Sequence, residues 1–455
     1  MQLIKKNITS NYLAYLSVVF PLSLILGPTF IEIFSGLLVI FFFIKADNSF
    51  YTKHKFFINI FLIFYLYLVI NSLNFSHEFA KIKSILFYFR FLFFCCAIIF
   101  CLNHINVTKK FNINYIFFIF LLLIFDSIIQ YYYGRNIFNI PLYNEFRASS
   151  FFGKELILGS FLFRMLPFII MICMLANIDF KKNIIKLSIF FSLYIFAVLL
   201  SGERTSFFLL LLAICLLIIL IKNLRKALLY GLLFFVFLNL IFSFSSKNPF
   251  DRMFKYTFSQ IVSQKIFLKQ NEKFNNVETN KKINNLKSQN RKLSNLELNY
   301  KPYLLPNYYI FSREHQGHYV IAARMFLDSP IFGKGPRSFR YLCSEEKFIK
   351  SDGICTTHPH NTYLQLLAET GLIGFLFVFL LFLSCSAALI KKFIYNLKYT
   401  KEDNTFVQIK YISLIAIFVN LFPLVPSGNF FNNWLSFTYY YPIAFYIYSV
   451  NKGKN

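Results

Sequence analysis

Residues 358–390 read HPHNTYLQLLAETGLIGFLFVFLLFLSCSAALI. The second half, from Leu372 to Ile390, is almost unbroken apolar sequence, close to the ~20 residues that carry a helix across a bilayer. The first half is polar and begins in a loop. An imidazole pair, His358 and His360, therefore stands at the entrance of a hydrophobic helix. A titratable ring at a membrane surface contributes little to stability. It is well suited to proton transfer at the lipid–water boundary.

Similar apolar runs recur outward from this one. Spans are expected at roughly 11–27, 29–44, 56–71, 84–102, 114–132, 155–176, 187–200, 206–221, 227–245, 362–390, 411–426 and 433–450. Hydrophobic residues make up 57% of the 455, and mean hydropathy is +0.55, more apolar surface than a water-soluble fold can bury. The expected fold is all-α, a polytopic membrane protein of about twelve transmembrane helices. It divides into a nine-helix region (1–245), a large, partly helical loop (246–361) and a three-helix C-terminal region (362–455).

The net charge of +27 is not read as a nucleic-acid signal, because the basic residues are sorted by loop. One side carries Lys5, Lys6, Lys45, Lys53, Lys55, Lys109, Lys110, Lys181, Lys182, Lys186, Lys222, Arg225, Lys226, Lys391, Lys392, Lys398, Lys401, Lys410, Lys452 and Lys454. The short loops of the other side carry Lys81, Lys83, Arg135, Arg147, Lys154 and Arg204. This bias places both termini in the cytoplasm and the 246–361 loop outside. Lys5 and Lys6 precede the first apolar run without a small-residue cleavage site, so that run is expected to stay as an anchor.

Within the large loop, residues 265–300 are rich in Lys, Asn and Gln and read as a flexible or weakly helical insertion. His318–Leu327 has helical apolar spacing and ends at Asp328-Ser329-Pro330. Gly333-Lys334-Gly335-Pro336 is a turn that allows close backbone approach; it lacks the spacing and the Ser/Thr of a nucleotide-binding loop. Cys343 and Cys355 read as a disulfide, worth about 3 kcal/mol in the chain-entropy picture, with two free thiols as the alternative.

Ionisable residues inside spans are costly and are functional candidates. Glu32, Arg90, Asp126 and Arg164 all fall in the outer half of the bilayer, on the order of 4–14 Å from its edge at 1.5 Å per residue. They read either as a polar pocket that opens outward, or as snorkelling and packing charges. Arg204 lies in the short outer turn Ser201-Gly202-Glu203-Arg204-Thr205, where the positive-inside rule disfavours it, and reads as a ligand contact. A guanidinium fork suits a diphosphate. Asn361, Gln365 and Glu369 form a polar stripe that either orients His360, contacts sugar, or bonds a neighbouring helix. His315 and His318 read as surface histidines.

The pattern His-Asn, nine residues, Gly-x-x-Gly, met by His360, Asn361, Gly371 and Gly374, resembles the signature of the O-antigen ligase and O-antigen polymerase superfamily of bacterial envelope glycosyltransferases. Met325–Pro336, Ser201–Ser206, and Asp126 with Gln130 and Gly134 resemble the family as well. The resemblance implies a metal-independent, cofactor-free transferase of the bacterial inner membrane with its site on the periplasmic side. The donor would be a glycan on undecaprenyl diphosphate, and the acceptor either the lipid A core (ligase) or a carrier-linked glycan (polymerase). The family's essential histidine falls on His360 and its short-loop arginine on Arg204. Its second arginine falls near His315, leaving Arg313 or Arg324 as the second diphosphate contact. His358, Asn361, Asp126, Arg164 and Arg90 are expected to support the site or bind substrate. No Asp-x-Asp pair stands in an outer loop, so no metal is expected. A polysaccharide or anion transporter is the more distant alternative; it fits the intramembrane charges but not their placement in one leaflet.

Overall fold

The computed structural model describes residues 15–75, 79–104, 113–144, 146–244, 247–255, 258, 313–349, 355–399 and 403–453. The 265–300 insertion, Lys5, Lys6, Lys109, Lys110 and the side chains of Lys81 and Arg313 lie outside the described residues. The described chain is helical, with no strand. In order the main helices are α1 (Tyr15–Leu26), α2 (Pro28–Lys45), α3 (Asn48–Phe75), α4 (Phe79–Leu86), α5 (Arg90–Asn103), α6 (Asn114–Tyr133), α7 (Leu158–Leu175), α8 (Ile184–Leu200), α9 (Arg204–Leu220), α10 (Arg225–Phe242), α11 (Arg313–Asp328), α12 (Thr362–Lys398), α13 (Thr405–Asn420) and α14 (Asn433–Lys452).

Seven of the described helices are long and apolar enough to cross a membrane: Pro28–Lys45, Asn48–Leu73, Ile82–Asn103, Asn114–Tyr133, Leu158–Leu175, Lys222–Phe242 and Thr362–Lys398. Tyr15–Leu26, Ile184–Leu200, Arg204–Leu220 and Thr405–Asn420 are apolar but shorter. The expected dozen spans thus meets seven helices that satisfy both length and hydropathy. The protein is a multi-pass membrane protein whose helices sort by exposure. Of the apolar window of α7, 94% is buried, against 22% for α2 and for α12. So α7 is the axis of the bundle, and α2 and α12 expose apolar faces such as Ile33, Leu37, Ile40, Leu376 and Leu380. In a bilayer such faces meet lipid.

The turns follow from local chemistry. Pro28 occupies the first turn of α2, where a missing N–H costs nothing, and Gly27 before it adopts a φ of 106°. The short turn between α8 and α9 is locked by Arg147, whose guanidinium donates to the carbonyls of Ser201 (3.4 Å) and Leu156 (2.9 Å). Glu203 accepts from the N–H groups of Gly159 (2.8 Å) and Ser160 (3.0 Å), an anion capping the first turn of α7 from the neighbouring helix.

The long span expected at 362–390 is two helices. Gly371 sits at φ 60°, ψ −166° and breaks α12 into a polar first segment, Thr362–Thr370, and a long apolar second segment. The turn after α11 plugs the break. The N–H groups of Leu372 and Ile373, left without helical acceptors, donate to the carbonyls of Pro330 (2.8 Å) and Ile331 (3.4 Å). Lys334 N–H in turn donates to Ala368 O at 2.9 Å. The backbones approach so closely that a Cβ on either Gly333 or Gly371 would overlap the other strand of the contact. From α3, the Tyr67 hydroxyl donates to Thr370 O at 2.5 Å and the Asn71 amide donates to Phe332 O.

Above this break lies a second, small core. Ile321, Ala322 and Met325 of α11 pack with Phe339, Cys343, Phe348 and Ala368. A disulfide joins Cys343 and Cys355, with Cα atoms 5.2 Å apart. The Arg324 guanidinium donates to the carbonyls of Phe348 (2.9 Å) and Ile349 (3.2 Å). In this structure one nitrogen of Arg324 thus braces the cap.

Candidate active site

His360 stands at the top of α12 with a φ of 56°, a left-handed conformation that few non-glycine residues adopt. Three contacts hold it there. The His360 carbonyl accepts from Ser427 N–H at 2.8 Å. Thr362 and Ser427 share a hydroxyl–hydroxyl bond of 2.8 Å. Asn361 caps α12, its Oδ1 accepting from the N–H groups of Tyr363 (3.0 Å) and Leu364 (3.1 Å), while its amide donates to the carbonyls of Pro423 (3.0 Å) and Val425 (3.4 Å). Asn361 thus braces the start of α12 against the 423–425 loop.

The imposed turn thrusts the imidazole into a cluster of four. The His360 ring centroid lies 4.1 Å from His358, 5.3 Å from His315 and 5.3 Å from His318. His315 and His318 stand one turn apart on α11. The surface placement expected for them is overturned for His318, which is only 3% exposed. The helical spacing of His315 and His318 was the available signal; which face of the loop helix met His360 was not. Burial, and then the neighbouring His315 and His318, lower the His360 pKa to about 4. Burial, then His360 and Arg340, lower His358 to about 3. Both rings are neutral near pH 7, so each can accept a proton.

Glu369 and Gln365 are tied to two loops. The Glu369 carboxylate accepts from Arg337 N–H (2.9 Å), Phe339 N–H (3.1 Å) and the Gln365 amide (3.0 Å). Gln365 accepts from Phe430 N–H (2.9 Å) and donates to Asn429 Oδ1 (2.9 Å). Together they clamp the 337–339 turn and the 429–430 loop onto the first segment of α12.

That clamp places Arg337, which the sequence reading passed over. Its backbone is left-handed, with φ 63°, directly after the Gly333–Pro336 turn. Its guanidinium donates to Phe431 O, and its Nε is buried with no hydrogen-bond partner. Burial, and the neighbouring charges of Arg340 and Arg90, pull its pKa below the usual arginine value, while Glu369 opposes them. Cations are thus held close together at the loop–membrane junction. Arg90 is countered by Glu32 at 3.3 Å, and Asn433 adds a 3.4 Å bond to the same carboxylate.

The remaining charges divide. Arg164 donates to Ser160 O (2.9 Å) and lies over the rings of Phe163 (4.2 Å) and Trp434 (5.9 Å). Among the described residues Asp126 pairs with no arginine. Its carboxylate accepts from Ile137 N–H (2.9 Å), Asn136 Nδ2 (3.2 Å) and the Ser150 hydroxyl, while Gln130 below it accepts from the N–H groups of Ser149 and Ser150. Asp126 thus holds the 134–152 loop, the packing role that was one of its two expected readings. Arg204 opens α9; one turn on, the Phe208 ring lies tilted against Phe422, centroids 5.9 Å apart, beside the Pro423 carbonyl that Asn361 holds. Arg204 and His360 therefore share one end of the bundle. No group of three or more His, Cys, Asp or Glu side chains among the described residues is arranged to hold a metal ion.

Residues 189–379 match the family model described as O-antigen ligase. That segment is similar to the O-antigen ligase family. The matched segment runs from α8 through the break in α12, so it contains Arg204, the α11 cap, Arg337 and His360, and leaves out Asp126, Arg164 and Arg90. A comparison with curated proteins finds no match. The match covers less than half of the 455 residues, and it is a likeness to the O-antigen ligase family over that segment.

Proposed function

We propose that this protein moves a glycan from undecaprenyl diphosphate to an acceptor hydroxyl on the periplasmic side of the bacterial inner membrane. In this reading both termini are cytoplasmic and the α11 cap faces the periplasm. The basic loops at the opposite end of the bundle support this, and so does the disulfide of the cap, which suits an oxidising compartment. The preferred reaction is ligation to the lipid A core, with polymerisation of carrier-linked repeat units as the alternative.

The carrying observation is a neutral imidazole, His360, held in a left-handed turn at the same end of the bundle as the guanidinium groups of Arg337 and Arg204. His360 takes the proton of the acceptor hydroxyl as its oxygen attacks the anomeric carbon. The bond from that carbon to the diphosphate breaks, and its electron pair stays on the departing phosphate oxygen. Arg204 and Arg337 meet the charge that develops there, a task for which guanidinium forks are suited. An anionic donor beside the imidazoles raises their pKa from its low resting value, so donor binding prepares the base. With cations supplied by side chains, transfer needs no metal.

The deciding experiment supplies purified protein with a carrier-linked glycan and an acceptor. Transfer that persists in EDTA and vanishes in His360→Ala supports the reading; transport of the glycan without bond formation overturns it. The lipopolysaccharide of a deletion strain separates the two reactions. A ligase defect leaves bare core and accumulates carrier-linked polymer, whereas a polymerase defect leaves core capped with a single repeat unit.

A further inference from the structure

An apolar cavity of about 360 Å³ runs between α3, α12, α13 and α14. Among the described residues, no charged side chain lines it. Its upper end is built from residues that also hold the active-site frame. Phe430 donates its N–H to Gln365 at 2.9 Å, and the Leu421 carbonyl accepts from the Tyr363 hydroxyl at 2.7 Å. Tyr439, also in the wall, lies against Arg164 and Thr362. From there the cavity descends along the helices. On α12 it reaches from Phe377 to Ala388, eleven residues or about 16 Å of axial rise. It opens sideways: Phe56, Ile60 and Leu381 line it and are 78%, 44% and 38% exposed.

A void with this shape is not neutral in a membrane. Lipid surrounds the bundle, so no hydrophobic transfer drives a chain inward. What drives it is dispersion, because an empty apolar wall lacks partner atoms. A dry cavity of about 150 Å³ already takes a six-carbon ring, so this one has room for roughly a dozen carbons or somewhat more. The occupant must be a hydrocarbon chain that enters from the bilayer and whose head ends beside Arg164, Arg337 and the histidine turn.

We propose that this groove seats the first isoprene units of the donor's lipid tail and thereby sets the height of its diphosphate against the cations. The inference rests on the donor reading given above. It assigns α3, which contributes no charged group to the site, a binding role through Phe56, Phe61 and Phe64.

Full-length protein in nanodiscs is assayed with one glycan on two diphosphate carriers, a long isoprenoid and a short one of about ten carbons. Ala388→Phe and Ser384→Phe fill the lower groove, and Leu383→Phe, on the lipid-facing side outside it, is the control. The expected result is a roughly tenfold rise in KM for the long-tail donor in both groove variants, with kcat/KM for the short-tail donor and the control unchanged. An unchanged long-tail KM overturns the groove. A diazirine on the second isoprene unit of the long donor should label groove residues in the wild type even without turnover. Labelling by a diazirine phospholipid that excess donor does not displace assigns the groove to bulk lipid and overturns the proposal. Donor labelling of the groove with no transfer from either carrier sinks the transferase reading alone.

Discussion

Two polar clusters stand at the same end of this bundle, and they are built on opposite principles. Around Asp126 each carboxylate oxygen finds a donor, and the donors come from one nearby loop. Around His360 four imidazoles stand together, the backbone is left-handed at both His360 and Arg337, and the buried Nε of Arg337 has no hydrogen-bond partner among the described residues. The first arrangement is what stability demands of a buried charge. The second gathers like titratable groups and holds two residues in a left-handed backbone, an arrangement in keeping with the proposed site. An ionisable group within a span is therefore not enough to mark chemistry here; what it bonds to decides.

The comparison can be broken from several sides. His360→Ala should lower transfer by about 10²–10⁴-fold, the range of a general base, while the protein stays folded in the membrane. His360→Gly, which suits the φ of 56°, should be as inactive without loss of thermal stability. Appreciable transfer by either variant removes the imidazole from the reaction. Gly371→Ala forces a Cβ into the Ile331 backbone at a dihedral pair reserved for glycine. It should cost about 3 kcal/mol or more and detach the cap, so limited proteolysis should cleave the loop and transfer should fall with it.

Asp126→Ala should destabilise by about 3 kcal/mol, because Asn136, Ser150 and the Ile137 amide lose their acceptor, with kcat of the folded fraction unchanged. A fall in kcat at unchanged melting temperature would place Asp126 in the chemistry after all. Arg337→Ala should reduce kcat/KM by about 10²-fold and Arg337→Lys should recover only part of it, since a point charge lacks the fork.

The smallest effect concerns pH. His360 and His358 titrate near 4 and 3 in the folded protein, below the ~6.5 of an unfolded chain. Between those values the unfolded state binds more protons, so stability is full above about pH 6.5 and declines as pH falls toward 4. The acid limb of kcat/KM, which reports the free enzyme, should lie below that of kcat, in which the bound diphosphate has raised the imidazole. Coincident limbs near 6.5 would show that the cluster leaves His360 unperturbed.

Much of the site was legible locally. His360 announced itself because a polar His-Asn pair at the mouth of an apolar run has few structural uses. The turn Gly333–Pro336 announced close backbone approach, and the structure supplies its partner, the break at Gly371. Arg337 went unread because nothing in Pro336-Arg337-Ser338 distinguishes it from an exposed loop arginine. Its importance comes from Glu369 and Phe431, distant in sequence, which fix its backbone and guanidinium. The partners of Asp126 and Arg324, a nearby loop and two carbonyls, were not legible either, because no periodicity reveals them.

Composition and hydropathy by themselves determined that this chain is a helical membrane protein, because apolar surface on this scale has no other place to go. The spacing of His360, Asn361, Gly371 and Gly374 determined the family it resembles. Only the tertiary structure decided which charges are satisfied and which are left over, because hydrogen bonds join residues that a helical period cannot relate. It decided in the same way that α11 folds back over a broken α12 to bring four imidazoles together, since that contact depends on two glycines, at 333 and 371, meeting across the chain.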